Sequence, residues 1–335
     1  MMRNAAAQLF AVAVFTWLGL ALMLVAALLL LRVPLGLALT LDRLRQRPAA
    51  EGDASRRRFL ARAAAATATA ATAGAGVFAL RSATGPALIS EVPVRVPRLP
   101  KALSGLTIAQ ISDLHVGPTI REREVWRVVE QVNAMKPDLV AITGDLVDGT
   151  VEQLGAATGQ LARLQSRFGT YFVTGNHEYY SGVEAWAAEL ERLGITLLRN
   201  RRVAIGGDFS FDLAGVDDYS GSGGGENPSS DLGRALEGRD PDRALVLLAH
   251  QPRAGAISKA VQAGVELQLS GHTHGGQIMP FNLLVGAMFP YLAGLYRHEE
   301  NGRSGQVFVS RGTGYWGPPL RLGSPPELAK LVLTT

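Results

Sequence analysis

Leu106-Thr107-Ile108-Ala109-Gln110-Ile111-Ser112-Asp113-Leu114-His115 is a short apolar run that ends in a carboxylate and an imidazole two residues apart. A run of this length and composition, Leu106 to Ile111, reads as a buried strand. After it, Arg121 to Met135 carries Val125, Val128, Val129 and Val132 at helical spacing and reads as an amphipathic helix. The alternation continues outward. Strands are expected at Leu139 to Thr143, Thr170 to Thr174, Leu245 to Ala249 and Val265 to Leu269, with helices at Val151 to Gln165, Val183 to Leu193 and Arg253 to Val261. Strand and helix in alternation predict an α/β fold, with the chemistry on loops that follow strand ends.

Those loops share a composition. The strands run into Asp113-Leu114-His115, Gly144-Asp145-Leu146-Val147-Asp148, Gly175-Asn176-His177-Glu178, Ala249-His250 and Gly271-His272-Thr273-His274, so five of the six histidines sit at strand ends. One such histidine is usually structural; five, with Asp and Asn beside them, need a common cause. Carboxylate, imidazole and amide carbonyl together suit borderline divalent cations, and the adjoining glycines permit close backbone approach. The number of ligands suggests two ions.

Composition narrows the chemistry further. Among 335 residues, 47% are hydrophobic and 19% charged, and the 38 glycines and 17 prolines show no fixed period, which excludes a disordered or collagen-like chain. There is no cysteine, so disulfides, iron–sulfur clusters, thiolate zinc sites and cysteine nucleophiles are excluded and any metal is held by nitrogen and oxygen. The net charge of +4 is uneven: residues 1–95 hold 11 basic against 4 acidic side chains, and the remainder 22 against 25. An acidic larger part argues against nucleic acid as a partner.

The basic quarter has its own logic. Residues 5–31 are apolar and uncharged up to Arg32, long enough to cross a bilayer, the alternatives being a buried core helix or a cleaved signal. Residues 32–62 carry eight arginines against three acidic residues, which the positive-inside rule places in the cytoplasm. They end in Ser55-Arg56-Arg57-Arg58-Phe59-Leu60, which resembles the twin-arginine export motif, and Ala63 to Leu80 is an export signal or a second crossing. The expected organisation is a transmembrane helix (1–35), a basic cytoplasmic loop (36–62), a second apolar segment (63–83), an extended proline-containing linker (84–104) and a catalytic domain (105–335). That order puts the protein in the cytoplasmic membrane with its catalytic domain on the periplasmic or extracellular side; a cytoplasmic Ala-rich linker in place of the second crossing reverses that.

The ordered series D-x-H, GD-x-x-D, GNH-E, lone His and GH-x-H resembles the calcineurin-like metallophosphoesterase superfamily over residues 105–335. Gly312-Thr313-Gly314-Tyr315-Trp316-Gly317-Pro318-Pro319-Leu320-Arg321, then Pro326-Glu327, is similar to its membrane-associated or exported bacterial branch, which resembles UDP-2,3-diacylglucosamine pyrophosphohydrolases. The resemblance implies a two-sheet β-sandwich flanked by helices. It implies one cation on Asp113, His115 and His274, another on Asn176, His250 and His272, Asp145 bridging, and His177 as the acid at the leaving oxygen. The cofactors would be two divalent metal ions, manganese, iron, zinc or magnesium, about 3.5–4 Å apart, polarising the phosphate and lowering the pKa of a water. The expected activity is hydrolysis of a phosphate ester or pyrophosphate, with a lipid-linked or cell-envelope substrate as the class the membrane segment suggests. The alternatives are a cytoplasmic-facing phosphodiesterase or nuclease, and a non-catalytic membrane-anchored protein that binds phosphorylated ligands.

Other residues carry weaker expectations. Asp148 is expected to orient a ligand histidine rather than to be an ordinary turn charge, and Glu178 stays open between those readings. Asp217 and Asp218 open a Gly/Ser-rich loop, Tyr219 to Ser230, that is either flexible surface or a rim of the site. His298 is read as a solvated polar residue. Met279 to Tyr296 is read as core or packing loop, the alternative being an apolar lip. Arg321 is a phosphate clamp or closes a turn.

Overall fold

The computed structural model describes residues 2–44, 53–222 and 230–335. Residues 88–335 form two six-stranded sheets. Strands β1 (Leu88–Arg95), β2 (Thr107–Ile111), β3 (Leu139–Thr143), β4 (Thr170–Val173) and β5 (Thr196–Leu197) belong to the first. Strands β6 (Arg201–Ile205), β7 (Phe211–Gly215), β8 (Leu245–Leu248), β9 (Leu267–Ser270), β10 (Gly294–Glu300) and β11 (Arg303–Val309) form the second. The last, β12 (Glu327–Thr334), returns to the first sheet between β1 and β2. The sheet orders are β1-β12-β2-β3-β4-β5 and β10-β11-β9-β8-β7-β6.

The inner strands are mostly apolar because both of their faces are covered, with Gln110 and Gln268 among the buried exceptions. In β3, Val140 and Ile142 face the helical layer while Leu139 and Ala141 face the other sheet. Helices α3 (Glu122–Ala134), α4 (Val151–Thr158) and α6 (Val183–Arg192) cover the first sheet. They bring Val125, Val129, Val132, Leu154, Trp186 and Leu190 onto it. Between the sheets lie Ile108, Phe211, Leu213, Val246, Leu267, Phe308 and Leu331. Helices α7 (Leu232–Ala235) and α8 (Ala254–Gln262) cover the second sheet through Ala235 and Ala260. The expected two-sheet sandwich flanked by helices is what the chain forms.

Three segments differ from expectation. Residues 84–104 are not a tether: β1 pairs in parallel with β12 from Leu88↔Glu327 to Arg95↔Thr334, and Val94 and Val96 are fully buried. Proline does not exclude a strand here because β1 lies at the sheet edge, where Pro93 is tolerated. Residues 36–62 are not a loop throughout: helix α1 (Met2–Leu44) continues past Arg32 and α2 (Asp53–Thr84) begins before the arginine cluster. Leu, Ala and Arg are strong helix formers, which carries the helix past Arg32 as far as Leu44. The part of that loop at 45–52 lies outside the described residues, as does most of the Gly/Ser-rich loop, 223–229. The helix expected to Gln165 ends as α4 at Thr158 and tightens into a 3₁₀ turn, Gly159–Arg163, after Gly155 and Gly159 weaken it.

Helices α1 and α2 are long and apolar enough to cross a membrane over Ala6–Arg32 and Arg58–Thr84. They pack side by side, Leu20 against Gly76, and touch the two-sheet domain through Met23 and Ala79, which meet Ile278 and Leu320.

Candidate metal centre

The carboxyl ends of β2, β3 and β4 in one sheet and of β8 and β9 in the other meet at the same edge, which collects the strand-end motifs. Buried Gln110 fastens that edge, its amide donating to Thr143 Oγ1 at 2.8 Å and to the Ser270 carbonyl at 2.9 Å. The His272 N–H donates to Asp113 Oδ1 at 2.9 Å, tying the second sheet's loop to the first.

Two clusters of ligating atoms result: Asp113, His115 and His274; and Asp145, His250 and His272. They adjoin, since His115 Nε2 and His250 Nε2 lie 3.9 and 3.1 Å from Asp145 Oδ2. His274 Nε2 lies 3.6 Å from Asp113 Oδ1. Asn176 heads the short helix α5 (Asn176–Ser181) beside them. The seven residues singled out as candidate ligands therefore line one site.

Several features fit this donor set to cations. Asn176 Oδ1 is buried and without a hydrogen-bond partner, the state of a carbonyl oxygen kept for a ligand. His250 Nδ1 lies 2.8 Å from the Thr143 carbonyl, which only accepts, so Nδ1 carries the ring proton. Nε2 is left facing Asp145, an arrangement that requires a proton or a cation between them; burial disfavours the His250 charge, but Asp145 and Asp113 prevail and raise its pKa well above the usual imidazole range. Burial, with the charge of His250, pushes His272 down to about 3. Burial and Arg321 push His274 well below the usual imidazole range, so both rings are neutral at pH 7, and His274 Nδ1 accepts from Arg321 Nη2 at 3.0 Å. Burial pushes the Asp145 carboxyl up, but His250, His115 and His177 outweigh it and hold the group ionised.

A third cluster joins His115, Asp148 and His177. Asp148 Oδ1 lies 3.1 Å from His115 Nδ1 and 2.6 Å from His177 Nδ1, accepting from both rings and so setting their tautomers. Burial disfavours the Asp148 charge, but the two histidine hydrogen bonds prevail and hold its pKa at about 2. Burial depresses His177, yet Asp148 and Asp145 more than compensate and raise it. The His177 N–H also donates to Asp145 Oδ1 at 2.9 Å, fixing the ring at the edge of the site.

The structure decides residues that the sequence left open. Glu178 is buried and its carboxylate accepts the N–H groups of Asp145, Leu146 and Gly175, clamping two site loops together. The signal was present: Glu178 is the third residue of a helix that opens at glycine, the acidic position of a capping box. Asp217 and Asp218 are buried and bonded, Asp217 to Arg199 at 3.1 Å and Asp218 to Gln251 at 2.9 Å. Arg321 is fully buried and donates to the carbonyls of Gly314, His274 and Arg311, so it closes a turn and is no clamp. His298 is not a freely solvated side chain: Tyr291 Oη and Ser258 Oγ lie 2.9 and 3.1 Å from its ring nitrogens. Two exposed aromatic residues flank His177: Tyr180, to which the sequence assigns no role, and Trp316 of the Gly312–Arg321 run, with rings 5.5 and 5.9 Å from that of His177. Gln277 holds Trp316, donating to its carbonyl and accepting its N–H, both at 2.9 Å.

Residues 106–276 match the calcineurin-like phosphoesterase family. A transmembrane protein with metallophosphoesterase domain from Bos taurus is 42% identical over 77% of this chain and 59% of its own length. An uncharacterized metallophosphoesterase from Aquifex aeolicus is 34% identical over 72% of this chain and 89% of its own. The chain spans about 60% of the length of the bovine and zebrafish relatives. Among solved structures, a 5′-nucleotidase precursor from Thermus thermophilus aligns with a TM-score of 0.41 and 18% identity, over 63% of this chain and 49% of that one.

Proposed function

Because this chain belongs to the calcineurin-like phosphoesterase family, we propose that it hydrolyses a phosphoester or pyrophosphate at the centre described above. The observation that carries this reading is the pair of adjoining ligand clusters, one on Asp113, His115 and His274 and one on Asp145, His250 and His272. Asn176, with its partnerless carbonyl oxygen, completes the second, and Asp145 lies where one carboxylate serves both. When bound, divalent cations supply charge neutralisation at the phosphate oxygens and bring a water's pKa toward neutrality. His177, raised in pKa and anchored through Nδ1 to Asp148, holds Nε2 3.9 Å from Asp145 Oδ2, at the edge of the ligand clusters, as the proton donor to the leaving oxygen. Asp148 stays ionised and keeps both His115 and His177 in the required tautomer.

In this reading α1 and α2 cross the membrane, the arginines of residues 32–62 stay cytoplasmic, and the catalytic part lies on the opposite side. Substrates of amphiphilic, lipid-linked character suit a centre held at a bilayer. The test is hydrolysis of an aryl phosphodiester by the full chain in detergent, with manganese, iron, zinc and magnesium compared. Metal-dependent turnover is expected, and its absence with all four ions overturns the proposal. A reporter enzyme fused after Thr335 that works only in the cytoplasm overturns the orientation.

A further inference from the structure

Helix α9 (Asn282–Met288) has no buried residue, and its apolar side chains stand in the open: Leu283, Leu284 and Met288 are 71%, 65% and 76% exposed. Ile278 to Tyr296 contains no charged residue, and Met279 and Trp316 extend the same apolar exposure. The packing-loop reading of Met279 to Tyr296 holds at its ends, where Phe281 and Tyr291 pack on the domain and Gly294 to Tyr296 pair in β10, but not for α9. An exposed apolar patch of this kind marks a surface that something covers.

The neighbouring helices say what covers it. Phe281, at the foot of α9, packs into the cluster of Ile278 and Leu320 with Met23 and Leu20 of α1 and Ala75 and Ala79 of α2. Gly19 lies directly against Pro318 and Leu320. Arg32 ends the apolar run of α1, and at about 1.5 Å per residue Met23 stands about 14 Å and Gly19 about 20 Å from it. Both depths fall inside a hydrocarbon layer about 30 Å thick. On the other helix, Ala79 lies just inside Arg81, the charge that ends that run. With α1 and α2 crossing as proposed above, the loops bearing Ile278 and Leu320 sit below the headgroup level, and α9 leaves from that depth. On its other side, Phe289 stands 5.1 Å from the ring of His272.

We propose that α9 and the adjoining loops form a membrane-seated lip, its leucines and methionine covered by acyl chains of the leaflet on the catalytic side. The metal centre then opens at the headgroup level, and the phosphoester it reaches is one that an amphiphile presents at the bilayer surface. This inference rests on α1 and α2 crossing the bilayer, and only its substrate corollary rests on phosphoester hydrolysis.

The native chain has no cysteine, so single labels report cleanly. Leu284→Cys and Met288→Cys, each carrying a nitroxide, are measured in the full chain in phosphatidylcholine–phosphatidylglycerol vesicles with oxygen and a water-soluble nickel chelate as relaxants. Leu28→Cys in α1 and Glu299→Cys in β10 are the references. Expected at 284 and 288 is an oxygen-to-nickel accessibility ratio at least several-fold above that at 299 and approaching that at 28. A ratio equal to that at 299 overturns the lip. Shielding from both relaxants overturns it too, because protein, a second copy or a partner, then covers the helix. A water-like ratio at 28 overturns the membrane crossing and the lip together. None of these readouts depends on turnover, so a failure of the hydrolase reading shows separately in the aryl phosphodiester assay.

Discussion

Asp113, His115, Asp145, His272 and His274 hold backbone φ angles of 52°, 51°, 49°, 71° and 52°, in the left-handed region that most side chains avoid. Such residues cost about 1–3 kcal/mol each and gather where the surrounding structure forces side chains into a functional arrangement. Here the turn after each strand bends the ligand back over the sheet edge, and glycines make room for it. A Cβ on Gly271 would collide with the Ser112 hydroxyl and with Asp113 Oδ2. Gly271→Ala is therefore expected to displace Asp113, lower bound metal and cut hydrolysis by about 100-fold, as misplacement of a reacting group by an ångström does. Metal analysis of the purified variant beside its turnover checks this, and full occupancy with full rate would refute it. The division of labour makes a second prediction. His177→Ala is expected to lower turnover by about 10²–10⁴-fold with metal retained, whereas Asp145→Asn loses metal from both clusters. Equal metal loss in the two variants would contradict the roles assigned.

Between residues and fold stand elements whose pairing crosses the whole chain. Strand β1 is the case in point, because its partner β12 lies about 240 positions away in sequence and local pattern shows only prolines and short apolar runs. A chain that begins at residue 96 lacks β1 and leaves one edge of β12 unpaired. Such a truncation is expected to unfold at a lower temperature and to aggregate, since an unpaired edge is a template for association. Val94→Ala in the full chain tests the same contact gently, with a loss of about 1–3 kcal/mol in unfolding free energy. An unchanged midpoint in both would return residues 84–104 to the status of a tether. Helices α3 and α6 were easier to read, because Val125, Val128, Val129 and Val132, or Trp186 and Leu190, repeat at the helical period and are buried as the period requires.

At the scale of the molecule, the site exists only because two sheets close on each other, and a cation held by residues of both would tie binding to folding. Chelation of the metal-loaded chain is expected to lower its unfolding midpoint by several degrees, because a ligand at 100 times its Kd contributes about 2.7 kcal/mol. Calorimetry of the detergent-solubilised protein before and after chelation, then after metal is returned, measures it; an unmoved midpoint would separate the site from the fold. The α/β class, the inner strands and the residue types at their ends could all be read directly, since periodicity and side-chain chemistry are local properties. The residues that reach the site from both sheets were legible for the same reason: each announces itself beside a strand end. What Glu178 holds, where β1 pairs and whether Met279 to Tyr296 is inside or outside were decided only in three dimensions. Burial depends on what arrives from elsewhere in the chain, and an apolar segment looks the same in sequence whether protein covers it or a membrane does.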